Sequence, residues 1–159
     1  MILAIDPGNI QSGYCFMAED YKPIIHGKAD NKLILTKIDS AEVRYAVIEM
    51  VASYGMPVGQ TVFDTCVWIG RFTQELEING IPVKYVKRKE YVAEFCGNTR
   101  ANDANVRQYL VDRFAPYTPN HGKGVKRSPG FFYGFRADEW QAYAISVWAK
   151  DKENERKND

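Results

Sequence analysis

The first six residues, MILAID, are apolar up to an aspartate and are stopped at once by Pro7-Gly8. A run this short cannot make a stable helix, whereas a buried strand that ends in a turn has this form. Strand-like composition resumes at Ser12 and holds to Ala18, so the chain opens with a hairpin, and the rest has to pack on it. Residues 22–28 offer a third strand. Residues 31–39 fit a short helix, with a periodicity that leaves the segment ambiguous. Tyr45 to Val51, YAVIEMV, is apolar but for Glu49 and reads as a strand covered on both faces.

Thr61 to Ile78 carries Val62, Cys66, Ile69, Thr73 and Leu76 at helical spacing and ends at Asn79-Gly80. Ile81 to Val86 is a further strand, followed by a basic corner, Lys87-Arg88-Lys89. Asp103 to Phe114 repeats a helical stripe of Val106, Leu110 and Phe114 before Pro116. In the last helix, from Asp138 to Lys150, the residues Asp138, Gln141, Ala142, Ile145 and Ala149 stack on one face, so an acid heads a buried stripe. This order of elements predicts an α/β fold, a mixed sheet with helices on its faces.

With 159 residues the chain has the length of one domain. We place that domain at residues 1–150 and expect residues 151–159, polar and mostly charged, to be a disordered tail. No apolar run reaches the ~18 residues of a membrane span, and the N-terminus lacks the basic stretch of an export signal, which leads to the expectation of a cytoplasmic protein without a membrane partner. Cys15, Cys66 and Cys96 are odd in number and lack metal spacing, as reduced thiols would.

A net charge of +1 neither demands nor excludes a nucleic-acid partner, so its distribution matters more. From Tyr117 to Arg136 the chain holds Lys123, Lys126, Arg127 and Arg136, no acid, and the rings of Tyr117, Phe131, Phe132, Tyr133 and Phe135. Such a segment either contacts DNA through charge and stacking, or docks its aromatics on the core as a glycine-rich loop. His121, inside it, could shuttle protons or face solvent; His26 reads as structural. The basic corner at 87–89 is either a solvated corner or part of a DNA-facing edge.

Asp6 ends the first strand and Glu49 lies late in the central one. If these strands are parallel neighbours, both carboxylates emerge at the carboxyl edge, where open α/β sheets place their sites. Asp138 can bring a third carboxylate there from the last helix. Hard cations such as Mg²⁺ are held by a few carboxylates plus substrate phosphates. Two ions about 3.5–4 Å apart stabilise the attacking and leaving oxygens of a phosphodiester displacement. The competing readings are plain: Asp-Pro-Gly also makes simple turns, Glu49 could face water, and Asp138 could serve only the helix dipole.

These residues resemble a family. I5-D6-P7-G8 with G13-Y14, and V47-I48-E49-M50-V51, are similar to the first two signatures of RuvC-type Holliday junction resolvases. D138-E139-W140-Q141-A142-Y143-A144-I145 is similar to the third, W68-I69-G70-R71 resembles the helix that pairs subunits, and Gly97 with Val106 and Leu110 falls in register before the last helices. The resemblance spans about residues 1–149. It implies an RNase H-like fold, whose five-stranded mixed sheet has three antiparallel and two parallel strands with helices on both faces. It also implies a homodimer, two Mg²⁺ ions per site with Mn²⁺ as a substitute, and symmetric, ligatable nicking of four-way and other branched DNA. By the same resemblance Asp6 bridges the ions, Glu49 holds one, and Asp138, with Glu139 or Gln141, holds the other.

The departures are specific. Gln141 stands where the family has its last acid, with Glu139 as a substitute if the helix is rotated. Asp103 stands in place of a lysine, with Arg100 and Arg107 nearby for phosphate contact. Ala52 aligns with an aromatic, leaving Tyr54 to stack on an opened base, and the 117–136 loop is longer than the family's. Two alternatives stay open: a monomeric nuclease similar to the YqgF family, acting on RNA, and a catalytically silent module that binds branched DNA. The DxG…G element also resembles a phosphate loop of actin-like ATPases, whose two flanking domains a chain of this length cannot supply.

Overall fold

A computed structural model describes residues 1–40 and 42–159. β1 (Ile2–Asp6) pairs antiparallel with β2 (Gln11–Met17), and β2 pairs antiparallel with β3 (Pro23–Asp30). On its other side β1 runs parallel to β4 (Tyr45–Glu49), which runs parallel to β5 (Val83–Val86). The order β3-β2-β1-β4-β5 is the expected mixed sheet, three antiparallel strands extended by two parallel ones. β4 stops at Glu49, two residues short of the apolar run. Past its end the Met50 N–H still reaches across, to the Val86 carbonyl.

Alternation along the strands sorts side chains onto two faces. Leu3, Ile5, Tyr14, Phe16, Ala46 and Ile48 meet Ile34 and Ile38 of α1 (Asn31–Asp39) and Ile69, Phe72 and Leu76 of α2 (Gln60–Ile78). The ambiguous segment is thus a helix, capped by the Asp30 carboxylate on the Lys32 N–H. On the opposite face Ile2, Ala4, Cys15, Met17, Tyr45 and Val47 are covered by α3 (Arg88–Cys96), α4 (Asp103–Phe114) and α5 (Ala137–Asn158). The two-residue period assigns Asp6 and Glu49 to this second face, beneath α5.

Four expectations need correction. α2 buries Thr65, Ile69, Phe72 and Leu76, so its inner stripe is rotated from the one anticipated: the Phe72 ring takes the core side, Cys66 is exposed and Thr73 bonds the Tyr85 hydroxyl. The basic corner is the start of α3, where Glu90 accepts the Lys87 N–H and Tyr91, Val92 and Phe95 are buried. Residues 151–158 are helical, not a disordered tail. Their charges have partners at helical spacing and across the sheet end: Asp151 holds Arg113, and Glu153 holds Arg44 and, one turn on, Lys157. Finally, the 117–136 segment is folded. A short hairpin of β6 (Gly124–Val125) and β7 (Ser128–Pro129) projects from it, while Phe131, Phe132 and Phe135 pack on Trp140 and Tyr143, as the docking alternative required. Gly122 is obligatory here: it has φ +76°, and a Cβ would sit 2.8 Å from the Phe132 ring.

The three cysteines are free thiols. Among the described residues no helix is long and apolar enough to cross a membrane.

Candidate active site

In the parallel register Ile5 stands opposite Ile48, and the next residue of each strand is the acid, so Asp6 comes level with Glu49. Both point to the α5 face at the carboxyl edge. The turn after Asp6 is fixed by a buried polar chain. The Gly8 N–H donates to Ser12 Oγ, Ser12 Oγ to Asn31 Oδ1, and Asn31 Nδ2 back to the Gly8 carbonyl. Across the ladder Asp6 faces Gly13. A Cβ on Gly13 would stand 2.6 Å from the Asp138 carbonyl oxygen, so the bare glycine backbone is what lets the first turn of α5 settle on the sheet and bring Asp138 to the other two acids.

The resulting cleft, about 300 Å³, is lined by Asp6, Glu49, Asp138, Gln141, Arg88 and Arg107, among others. Burial, then the charges of Glu49 and Asp138, push the Asp6 carboxyl up to about 8, against which Arg88 works in the lowering direction. Burial also raises Glu49, partly offset by the Tyr91 hydroxyl, which lies 2.9 Å from Oε2. Two poorly solvated carboxylates that resist ionising side by side are a donor set suited to a hard divalent cation. Among the described residues no three acidic, histidine or cysteine side chains stand close enough to enclose an ion alone. Water and substrate phosphate would therefore complete its shell, which is how Mg²⁺ is commonly held.

Gln141 lines the cleft with its amide oxygen turned toward protein: Tyr91 Oη lies 3.0 Å and Arg88 Nη1 3.3 Å from Oε1, while Nε2 is buried and has no partner among the described residues. Arg88 continues to the Asp103 carboxylate. Asp138 is paired with Lys28 of β3. Glu139, next to Asp138 in sequence, points elsewhere. It is buried against His26 Nδ1 and lines no part of the cleft, so the structure brings Asp6, Glu49, Asp138 and Gln141 together and leaves Glu139 out.

Of the basic candidates, Arg88 and Arg107 reach the cleft and Arg100 does not; it borders a neighbouring groove between α3 and α4 with Tyr109 and Gln108. Lys87 and Lys89 are exposed at the head of α3, and Lys89 Nζ lies 3.7 Å over the half-exposed Tyr54 ring. Lys126 and Arg127 form the exposed tip of the β6–β7 hairpin, Lys123 its base, and Arg136 the residue before α5. His121 is exposed, and His26 has the structural place anticipated, against Glu139 and the Phe135 ring.

Tyr91 and Lys28 were not singled out from the sequence. Tyr91 sits in a segment whose helical pattern is weak, and Lys28 is one of many lysines until β3 is placed beside α5.

No protein-family model and no curated protein matches this sequence. Solved structures do match. RuvC from Thermus thermophilus in complex with Holliday junction substrate aligns with a TM-score of 0.66 at 12% identity, over 95% of each chain. Thermus thermophilus RuvC gives 0.63 at 12% identity, over 95% of this chain and 96% of that one. The fold is that of RuvC, the RNase H-like arrangement of a mixed five-stranded sheet with helices on both faces.

Proposed function

We propose that this chain is a metal-dependent endonuclease that nicks branched DNA, four-way junctions above all. The observation that carries the reading is the convergence of Asp6, Glu49 and Asp138 on one cleft flanked by Arg88 and Arg107, at the carboxyl edge of a sheet shared with a RuvC solved on a junction. Asp6 and Glu49 would hold the divalent ion. When bound it supplies Lewis acidity and an activated water for phosphodiester hydrolysis. Arg107 and Arg88 orient the phosphate, and Asp138, held by Lys28, borders the attack site. Lys87, Lys89, Tyr54 and the hairpin tip at Lys126-Arg127 supply the outer phosphate and base contacts.

Paired nicks need two sites related by a two-fold axis. Phe63, Val67 and Gly70 lie one turn apart on the outer side of α2, with both apolar side chains more than half exposed and open space over Gly70, and Met56 and Val58 are exposed nearby. We assign this face to a homodimer.

The test is a gel assay with a synthetic four-way junction and a matched duplex, in Mg²⁺ or EDTA, with Asp6→Asn alongside. Paired nicks confined to the junction, lost in EDTA and in the variant, are expected; full activity in Asp6→Asn would refute the assignment. The silent-module reading is favoured by one feature, the neutral and occupied Gln141, and predicts junction binding without cleavage.

A further inference from the structure

We propose that the cleft holds a single divalent cation, between Asp6 and Glu49, and that Arg88 brings to the scissile phosphate the positive charge a second ion would otherwise supply. This rests on the nuclease reading above. On the α5 side of the cleft the candidate ligands are already matched. The Gln141 amide oxygen accepts from Arg88 Nη1 and shares the one Tyr91 hydroxyl proton with Glu49 Oε2, and Asp138 Oδ2 faces Lys28 Nζ. A second ion would meet two cationic side chains there, Arg88 and Lys28, and gain one carboxylate and one neutral oxygen.

The charge of the lining agrees. Four acids, Asp6, Glu49, Asp103 and Asp138, against Arg88, Arg107 and the Lys28 paired with Asp138, leave −1. One divalent ion turns this to +1, which a phosphodiester's single negative charge matches. A second would leave +3 facing that one negative charge.

Arg88 is placed for the role. Its guanidinium spans from Asp103 to Gln141 at the rim, and its charge is felt by both Asp6 and Glu49. The planar fork can engage two phosphate oxygens at once. Its present partner Asp103 is largely exposed, so exchanging that carboxylate for a phosphate meets little resistance.

The experiment titrates Mn²⁺ into the intact protein, alone and with nicked-junction product bound, by calorimetry and electron paramagnetic resonance. We expect one Mn²⁺ per chain with the spectrum of an isolated ion, and two ions with an exchange-broadened spectrum in Arg88→Ala/Gln141→Asp. Two ions in the unaltered protein would overturn this inference and leave the nuclease reading standing; no Mn²⁺ binding would overturn both. A double variant that still takes one ion would remove Arg88 from the explanation. In nicking assays Arg88→Ala should lose about 100-fold or more, with partial recovery in Arg88→Lys and melting curves as the folding control. An unchanged rate in Arg88→Ala would also overturn the assignment.

Discussion

Replacing Gly13 by alanine should separate the acids without touching any of them. Gly13 does not have positive φ, so alanine is compatible with its backbone, and a glycine-to-alanine change in such a setting ordinarily stabilises by about 0.4–1 kcal/mol through the unfolded chain. Here the added methyl would lie 2.6 Å from the Asp138 carbonyl oxygen and 3.3 Å from its carbon. Ordinary contact begins near 3.4 Å, so the first turn of α5 must lift by about 0.8 Å, a backbone displacement that no side-chain rotation can absorb. Overpacking of this kind costs about 1–3 kcal/mol, enough to reverse the intrinsic gain. Net of that gain the loss is up to about 2.6 kcal/mol, which for a domain of this size lowers Tm by up to roughly 10 °C. Because Gly13 pairs with Asp6, the lift moves Asp138 away from the very acid it must face, and a misplacement near 1 Å can cost about 100-fold in rate. Thermal unfolding and junction nicking should therefore both fall. A variant with raised Tm and an unaltered nicking rate would refute the claim that this close approach sets the site.

Other outcomes follow from the same geometry. The Asp6 carboxyl binds its proton more tightly folded than unfolded, so in EDTA the protein loses stability as pH rises from about 4 through about 8; Asp6→Asn should flatten that fall in a melting series, and parallel curves would contradict it. Mg²⁺ at about 100 times its Kd should raise Tm by roughly 5–10 °C, and leave Asp6→Asn unmoved in the same calorimetric scan. Reversing the hairpin tip with Lys126→Glu and Arg127→Glu should reduce the salt slope of DNA binding by about 2 with Tm unchanged, as read by binding titrations at several salt concentrations. Phe132→Ala removes a fully buried ring that touches Phe135, Trp140 and Tyr143 and should cost about 3–5 kcal/mol in denaturant unfolding.

The site's two strand acids were legible because a strand's period is rigid. Once β1 and β4 are parallel neighbours, the parity of Asp6 and Glu49 follows from counting residues. Asp138 was legible as the head of an apolar stripe. The neighbour of Asp138 was not: only the position of His26 on β3 shows that Glu139 is bonded away from the cleft. α3 was hidden because its apolar residues cluster at Tyr91, Val92 and Phe95 behind three basic ones, and its helical state depends on the core they fill. The charged end of α5 resembled a tail since Arg44 and Arg113, which hold it, lie far away in sequence. The 117–136 segment carried both basic and aromatic residues, and packing divided them: Phe131, Phe132 and Phe135 inward, Tyr117, Tyr133, Lys126 and Arg127 outward.

The same alternation governs which sequence changes a lineage can accept. Losing or gaining one residue within β1 or β4 would leave the length of the strand almost intact yet carry its terminal acid through the sheet, to lie among Ile69 and Phe72 rather than beside Asp138. Insertions or deletions in pairs would preserve its side. Natural variation in these two strands should therefore come by substitution or in even steps, while odd-numbered length changes collect in the turns.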